Sequence, residues 1–306
     1  MIGPAQALAR NQPTVSRVVS PTPARLLSAR SMPEKKFNAL PGFGLTMGFT
    51  IFYLSALVII PIGGLIVRAL GISWSQFWHL ATTDRALAAY QLTFGASLVA
   101  ALANAVFGTL LAWVLVRYEF PGRRFIDAMI DFPFALPTAV AGLTMANLFA
   151  ANGWLGQFLV PIGIKGAFTP LGVVIALTFV GMPFVVRTLQ PVLESFEREV
   201  EESAATLGAG RLRTFVTIIA PTLLPPVITG FALAFARAIG EYGSIVFISG
   251  NLPFKTEIAP YLIVMRLEEY DYSGAITLAV VLLIFSFMLL GVINVLEQWA
   301  GKFLKG

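Results

Sequence analysis

Hydrophobic residues run along this chain in six long blocks separated by short polar segments, and each block approaches the roughly 20 residues needed to cross a bilayer core. The blocks fall near Leu45–Leu70, Ala88–Val116, Asp127–Ala150, Pro170–Leu189, Leu223–Ser249 and Ser273–Leu296. The longest polar interruption, from Gln190 to Pro226, has a pattern of its own. Leu193, Phe196, Val200, Ala204 and Leu207 recur at intervals of three and four, which places them on one helical face, while Glu197, Glu199, Glu201 and Glu202 occupy the other. Gly208-Ala209-Gly210 then breaks the helix. Leu212, Phe215, Val216 and Ile219 share a face of a second short helix before Pro221, Pro225 and Pro226 open the next apolar block. The pattern predicts a helix, a glycine elbow and a helix between two membrane segments. Its charged face cannot be buried in lipid, so the unit lies in the interface or docks into another protein. Small residues at the tip, Ser203, Ala204, Ala205 and Gly208, favour docking because they let another surface approach the backbone.

Composition agrees with this reading. Hydrophobic residues make up 57% of the chain and charged residues 12%, which is too apolar for a soluble domain of 306 residues. The expected fold class is an all-α membrane protein of six transmembrane helices spanning residues 42–300, with a coupling loop at 190–221. The lysines and arginines give its sidedness. Six lie in residues 1–41, three between Arg117 and Arg124, four between Arg187 and Arg213, and two in residues 301–306, all predicted on one side. Only Arg68, Arg85, Lys165, Lys255 and Arg266 fall on the other, and Arg237 lies within a block. That bias puts both termini and the elbow in the cytosol. Residues 1–41 lack the continuous apolar centre of a signal peptide and read as a disordered cytosolic tail; residues 301–306 form a second tail.

Little chemistry is available. Without cysteine there is no disulfide or thiolate metal site, and His79 is the single histidine, expected as an interfacial residue beside Trp74 and Trp78. No nucleotide-binding loop, zinc-protease helix or nucleophile elbow occurs, so no cofactor is expected and any ATP is hydrolysed by another chain. The basic residues are scattered and show no aromatic-interleaved stripe, which argues against nucleic acid. Residues 152–169 are expected to form a loop with one helical turn, and residues 250–272 a longer loop. Asp127 and Asp131 at the start of the third block read as helix-dipole caps, and Arg187 as a snorkelling side chain. Arg237 and Glu241, four apart in the fifth block, are the charges that must find partners inside the membrane. They form either an internal pair that fixes packing or a gate, or a device that helps an anion cross.

The residues Glu202-Ser203-Ala204, then Gly208, Ile218 and Pro221, resemble the EAA loop of ABC-importer permeases, with Ser203 and Ala220 replacing the usual Ala and Leu. Other stretches resemble the T-type permease subunits of sulfate/thiosulfate ABC importers: Asp131-Phe132-Pro133-Phe134-Ala135-Leu136-Pro137, Pro183-Phe184-Val185-Val186-Arg187-Thr188 and Arg266-Leu267-Glu268-Glu269-Tyr270-Asp271-Tyr272. Arg237 to Gly243 is also similar to molybdate permeases. The resemblance implies the type I importer fold and a location in the bacterial inner membrane. It also implies a second, W-type permease, an ATPase dimer, a soluble sulfate-binding protein and membrane lipid as partners. Glu202, Ser203, Ala204, Leu207 and Gly208 would then couple to the ATPase, and sulfate or thiosulfate would be the cargo. A molybdate or tungstate importer and an ATP-independent anion carrier are the alternatives.

Overall fold

The computed structural model describes residues 43–196 and 198–303; residues 1–42, Glu197 and residues 304–306 lie outside it, and with them the expected tail at 1–41. By its contacts the chain divides into two units, residues 1–54 and 55–306. The described part of the first is one apolar helix, α1 (Phe43–Leu54). The second opens with a single π-helical turn, Ser55–Ile59, and continues as α2 (Ile60–Leu70), so that the wider turn comes directly before Pro61. The predicted aromatic helix follows as α3 (Trp74–Ala81), capped by Ser73, whose Oγ accepts the Gln76 N–H at 3.3 Å. α4 (Asp84–Arg117) has 34 residues, about 51 Å at 1.5 Å per residue. It is therefore longer than a bilayer core of roughly 30 Å, and its last turn can stand clear of the lipid.

The third predicted block is not one helix. It is split into α5 (Arg123–Ile130), α6 (Phe132–Ala135) and α7 (Thr138–Phe149). Pro133 sits in the first turn of α6, and Leu136, which precedes Pro137, is driven to extended backbone with ψ 136°. After α8 (Gly156–Leu159) and a 3₁₀ turn at Val160–Ile162, as expected for that loop, α9 (Pro170–Ser195) begins at Pro170 with Thr169 as its cap.

The elbow contains α10 (Arg198–Thr206) and α11 (Arg211–Thr214), followed by a π-helical turn at Phe215–Ile219 and α12 (Ala220–Ile239). Here the second short helix and the fifth block turn out to be one long apolar helix, Arg211–Ile239, which ends at Ile239 and not at Ser249. The prolines do not open a new segment: a π turn at Phe215–Ile219 leads into Pro221 and the helix continues through it. The Thr217 and Thr222 hydroxyls back-bond to the Arg213 and Ile218 carbonyls at 2.6 and 2.8 Å, as threonines inside a helix do. Beyond Ile239 come α13 (Ile245–Ile248), α14 (Ala259–Glu268) and α15 (Tyr272–Phe303). The expected long loop at 250–272 is thus largely ordered, with Ile258, Ala259 and Leu262 buried where α14 packs on α4 and α15.

Among the described residues, five helices are long and apolar enough to cross a membrane: Phe43–Leu70, Asp84–Arg117, Pro170–Ser195, Arg211–Ile239 and Tyr272–Val295; α7 is a shorter apolar helix. The described residues form no strand. Large apolar side chains such as Phe107 on α4 and Phe287 and Met288 on α15 are exposed, which suits a surface facing lipid. The centre is the mutual packing of α4, α9 and α12, where missing side chains let the helices close in. A Cβ on Gly108 of α4 would lie 2.9 Å from Val185 Cγ1 on α9, and one on Gly230 of α12 would lie 2.9 Å from the Val185 Cα. Val185 is therefore held between two glycines, and at Gly230 backbone meets side-chain space directly.

Replacing Gly230 by Ala is expected to lower the thermal-unfolding midpoint of the detergent-purified protein, at a cost of about 1–3 kcal/mol, because backbone and not a pliable side chain opposes the new methyl. Gly95→Ala on α4, where nothing lies within 4 Å of the added Cβ, should leave the midpoint unchanged or slightly raised. Equal effects at the two positions would contradict the close packing.

Candidate functional site

The elbow is stopped by its own backbone. Gly208 has φ +80°, its N–H donates to Ala205 O at 3.0 Å, and the Ala209 N–H donates to Ala204 O at 2.9 Å, which is the Schellman arrangement that ends α10. Glycine is favoured here because this left-handed conformation is costly for other residues. Of the five residues singled out in the sequence, Glu202, Ser203 and Gly208 are exposed, Ala204 is buried, and Leu207 is 88% exposed. Leu207 shares a helical period with Ala204, yet only Ala204 is buried and Leu207 stands out from the chain. An open groove of about 680 Å³ runs between α10 and the start of the next helix, lined by Glu199, Ser203, Leu207, Gly208 and Arg213 among others. An exposed leucine, small neighbours and a groove together leave an apolar face that another surface can approach closely.

The polar face also differs from the sequence pattern. Glu201, placed by helical period with the solvent-facing carboxylates, turns towards the body of the protein and meets Arg117, its Oε1 lying 2.7 Å from Nη2. The angles are not those of an aligned hydrogen bond, so the pair is a close ion contact.

At the other end of α12 the charged pair is present, but at a helix end and not in mid-span. Arg237 contacts Glu241 directly, four residues on. Glu241 is 2% exposed, and its Oε1 accepts both the N–H and the hydroxyl of Ser244 at 3.0 Å. A carboxylate that captures backbone N–H groups in this way competes with helix continuation, which explains why α12 stops at Gly240. The Arg237 side chain, 37% exposed, faces out of the subunit. Two further glycines bring α7 against this break: a Cβ on Gly142 would lie 2.2 Å from Ser244 O, and one on Gly243 2.1 Å from Thr138 Oγ1. Broken backbone, a buried acid and a half-exposed base thus share one spot.

Two ion-pair sets were not legible in the sequence. Arg187 on α9 forks onto Asp131, with Nε to Oδ1 at 2.9 Å and Nη2 to Oδ2 at 2.6 Å. It also donates through Nη1 to Asp127 Oδ1 at 2.7 Å and to Gln190 Oε1 at 2.5 Å, and through Nη2 to the Asp127 carbonyl at 2.9 Å. The aspartates are therefore not dipole caps and Arg187 is not snorkelling; Asp131 closes the C-terminal end of α5 without a side-chain capping bond. The Asp127, Asp131 and Arg187-x-x-Gln190 spacings, each placing two polar groups on one helical face, were the available signal. Far along the chain, Arg85 pairs with the buried Glu257 through two bonds of 2.8 and 2.6 Å, fastening the segment before α14 to the start of α4. His79 has no role in any of these sets, and no group of three or more acidic or histidine residues among those described could hold a metal.

The family of binding-protein-dependent transport system inner membrane components matches residues 104–302. A probable sulfate transport system permease protein of Nephroselmis olivacea, cysT, is 53% identical over 255 residues, covering 83% of this chain and 90% of that one. The sulfate transport system permease protein CysT of Synechocystis sp. is 48% identical over 276 residues, covering 89% and 96%. That of Escherichia coli is 45% identical over 269 residues, covering 88% and 97%. Among solved structures, a chain of a bacterial ABC transporter that imports the acidic polysaccharide alginate superposes with TM-score 0.70 at 14% identity, covering 84% of this chain and 96% of that one. A chain of the inward-facing MetNI methionine ABC transporter gives 0.54 at 14%, covering 75% and 99%. These likenesses place the chain among ABC-importer permease folds. The chain belongs to the binding-protein-dependent transport system inner membrane components and, within them, to the CysT-type permeases.

Proposed function

We propose that this chain is a permease subunit of an ATP-driven importer that carries sulfate, and with it thiosulfate, into the cell. The observation that carries the reading is the elbow: a short helix with Glu202, Ser203, Leu207 and Gly208 exposed, in a chain whose sequence holds no nucleotide-binding loop. The complex would contain a second permease of the W type, two ATPase subunits beneath the elbow, and a soluble sulfate-binding protein on the opposite face. In this arrangement the chain crosses the inner membrane six times, with both termini and the elbow in the cytosol. The bias of lysine and arginine supports that orientation, and α5 to α7 would supply the remaining crossing in broken form.

Mechanically, closure of the ATPase dimer would move the docked Glu202, Ser203, Ala204, Leu207 and Gly208 surface, and the helices rooted in it would rock so that the cavity opens outward. Hydrolysis would reverse the motion. Arg237 would line the path or its gate, with Glu241 holding the guanidinium in place while no anion is present. A tight intramembrane site is unnecessary, since strong binding would slow release.

Vesicles containing the full complex should take up labelled sulfate only with ATP and binding protein, and unlabelled thiosulfate should compete whereas molybdate should not. Competition by molybdate would widen the cargo to oxyanions generally. Uptake by this chain alone, without nucleotide, would end the lever reading. Gly208→Trp places a bulky ring at the docking tip and a side chain at φ +80°. We expect the complex to assemble while sulfate-stimulated ATP hydrolysis and uptake separate. Arg237→Gln should abolish uptake with assembly intact; normal uptake would leave the pair a purely structural one.

A further inference from the structure

Arg117 ends α4 and reaches three elements at once. Its guanidinium carbon lies 5.3 Å from the Trp113 ring centroid on its own helix and 5.5 Å from the ring of Phe196, the residue at which α9 ends. Its Nη2 meets Glu201 of α10 at 2.7 Å, and the side chain is only 11% exposed. An exposed ion pair of this kind would contribute almost nothing. This one differs because two aromatic faces strip water from the cation, which strengthens both its attraction to the rings and its demand for a carboxylate. The same Trp113 stands edge-on to Phe215 at 5.9 Å, where the chain leaves the elbow for α12. One turn of α4 therefore touches the elbow at its entry, on its first helix and at its exit.

We infer that Arg117 and Glu201 are a coupling clamp, a pair of positioning residues that makes α4 follow the elbow when the ATPase moves it. The inference rests on the proposed docking role of the elbow and adds a second route for its motion. Without the clamp, α10 itself has no ion pair to α4, and its displacement reaches α4 only through the two roots of the elbow. With it, α4 receives the displacement directly and passes it to α9 and α12, against which it packs. Glu201 differs in this from its neighbour Glu202, which is exposed and free to meet the partner.

The test is a double-mutant cycle in the reconstituted four-component complex, reading ATP hydrolysed per sulfate imported. Glu201→Gln, isosteric and at a partly exposed site, should assemble normally, as judged by co-purification of all subunits, and should raise that ratio about tenfold, the effect of losing one well-packed charge contact. Arg117→Ala should do the same, and the double variant should be no worse than the poorer single one. Arg117→Lys, which keeps the charge and much of the stem, should recover most of the coupling. A parent ratio in Glu201→Gln, or effects of the two substitutions that multiply in the double variant, would overturn the clamp. If Gly208→Trp uncouples while the clamp variants behave as the parent, only the clamp is lost; if all three keep the parent ratio, the elbow reading falls with it.

Discussion

Helices in a bilayer gain little by burying apolar side chains against each other, because lipid is about as apolar as leucine; close contact and internal polar bonds must hold them. In this chain that contact is made where Val185 of α9 sits between Gly108 of α4 and Gly230 of α12. Gly181 of α9 extends the same seam by leaving room for Asn104 of α4, whose amide nitrogen would lie 2.4 Å from an added Cβ. Surfaces this close cannot slide or absorb a tilt by rotating side chains, so the three helices move together or not at all. Every candidate functional feature is attached to them: the elbow hangs between α9 and α12, Arg117 ends α4, Arg187 lies on α9 and Arg237 near the end of α12.

The polar groups follow the same logic of local satisfaction. A charge at bilayer depth costs about 2.5–3.5 kcal/mol on insertion scales, and an unpaired one has no water to turn to. Glu241 meets that cost with three partners, Arg237 and the N–H and hydroxyl of Ser244, and in doing so it ends α12. Prolines interrupt the helical ladder elsewhere: a π turn leads into Pro221, and the chain turns to extended backbone at Leu136 before Pro137. Irregular backbone beside a charged pair, with α7 pressed against it at Gly142 and Gly243, is the arrangement in which a gate can be built without exposing peptide groups to lipid.

Hydropathy and periodicity were enough for the apolar helices, the aromatic helix after α2 and the glycine stop at Gly208, because length, 3.6-residue period and the left-handed preference of glycine are local properties. They failed where distant partners decide. Glu201 looked like one of four solvated carboxylates because the period could not see Arg117, more than eighty residues earlier and shielded by two rings. Asp127 and Asp131 looked like caps because their partner, Arg187, lies on another helix. Leu207 shares a period with Ala204, yet the helix buries only the smaller of the two, a difference that the period alone does not give. The proline-rich start of the fifth block looked like a boundary because proline usually ends a helix, whereas here the helix passes through Pro221, Pro225 and Pro226 after a π turn.

The two roots of the elbow are not equivalent, and that asymmetry matters for any lever. At its exit the chain runs without interruption from Arg211 to Ile239, so a displacement of α11 is carried along a continuous helix to the place where Arg237 and Glu241 close it. At its entry α9 ends at Phe196 in extended backbone, with ψ 109°, and a joint of that kind turns under load before it transmits. On the proposed reading, a lever with one stiff and one soft root would load α12 alone and strain the seam at Val185. The ring of Phe196 packed on the Arg117 guanidinium, itself fixed to Trp113 and Glu201, is what can stiffen the soft side, because it ties the joint to α4 and not to the loop. Motion at the elbow would then reach α4, α9 and α12 as one body, which is the only form in which helices joined at Gly108, Val185 and Gly230 can receive it.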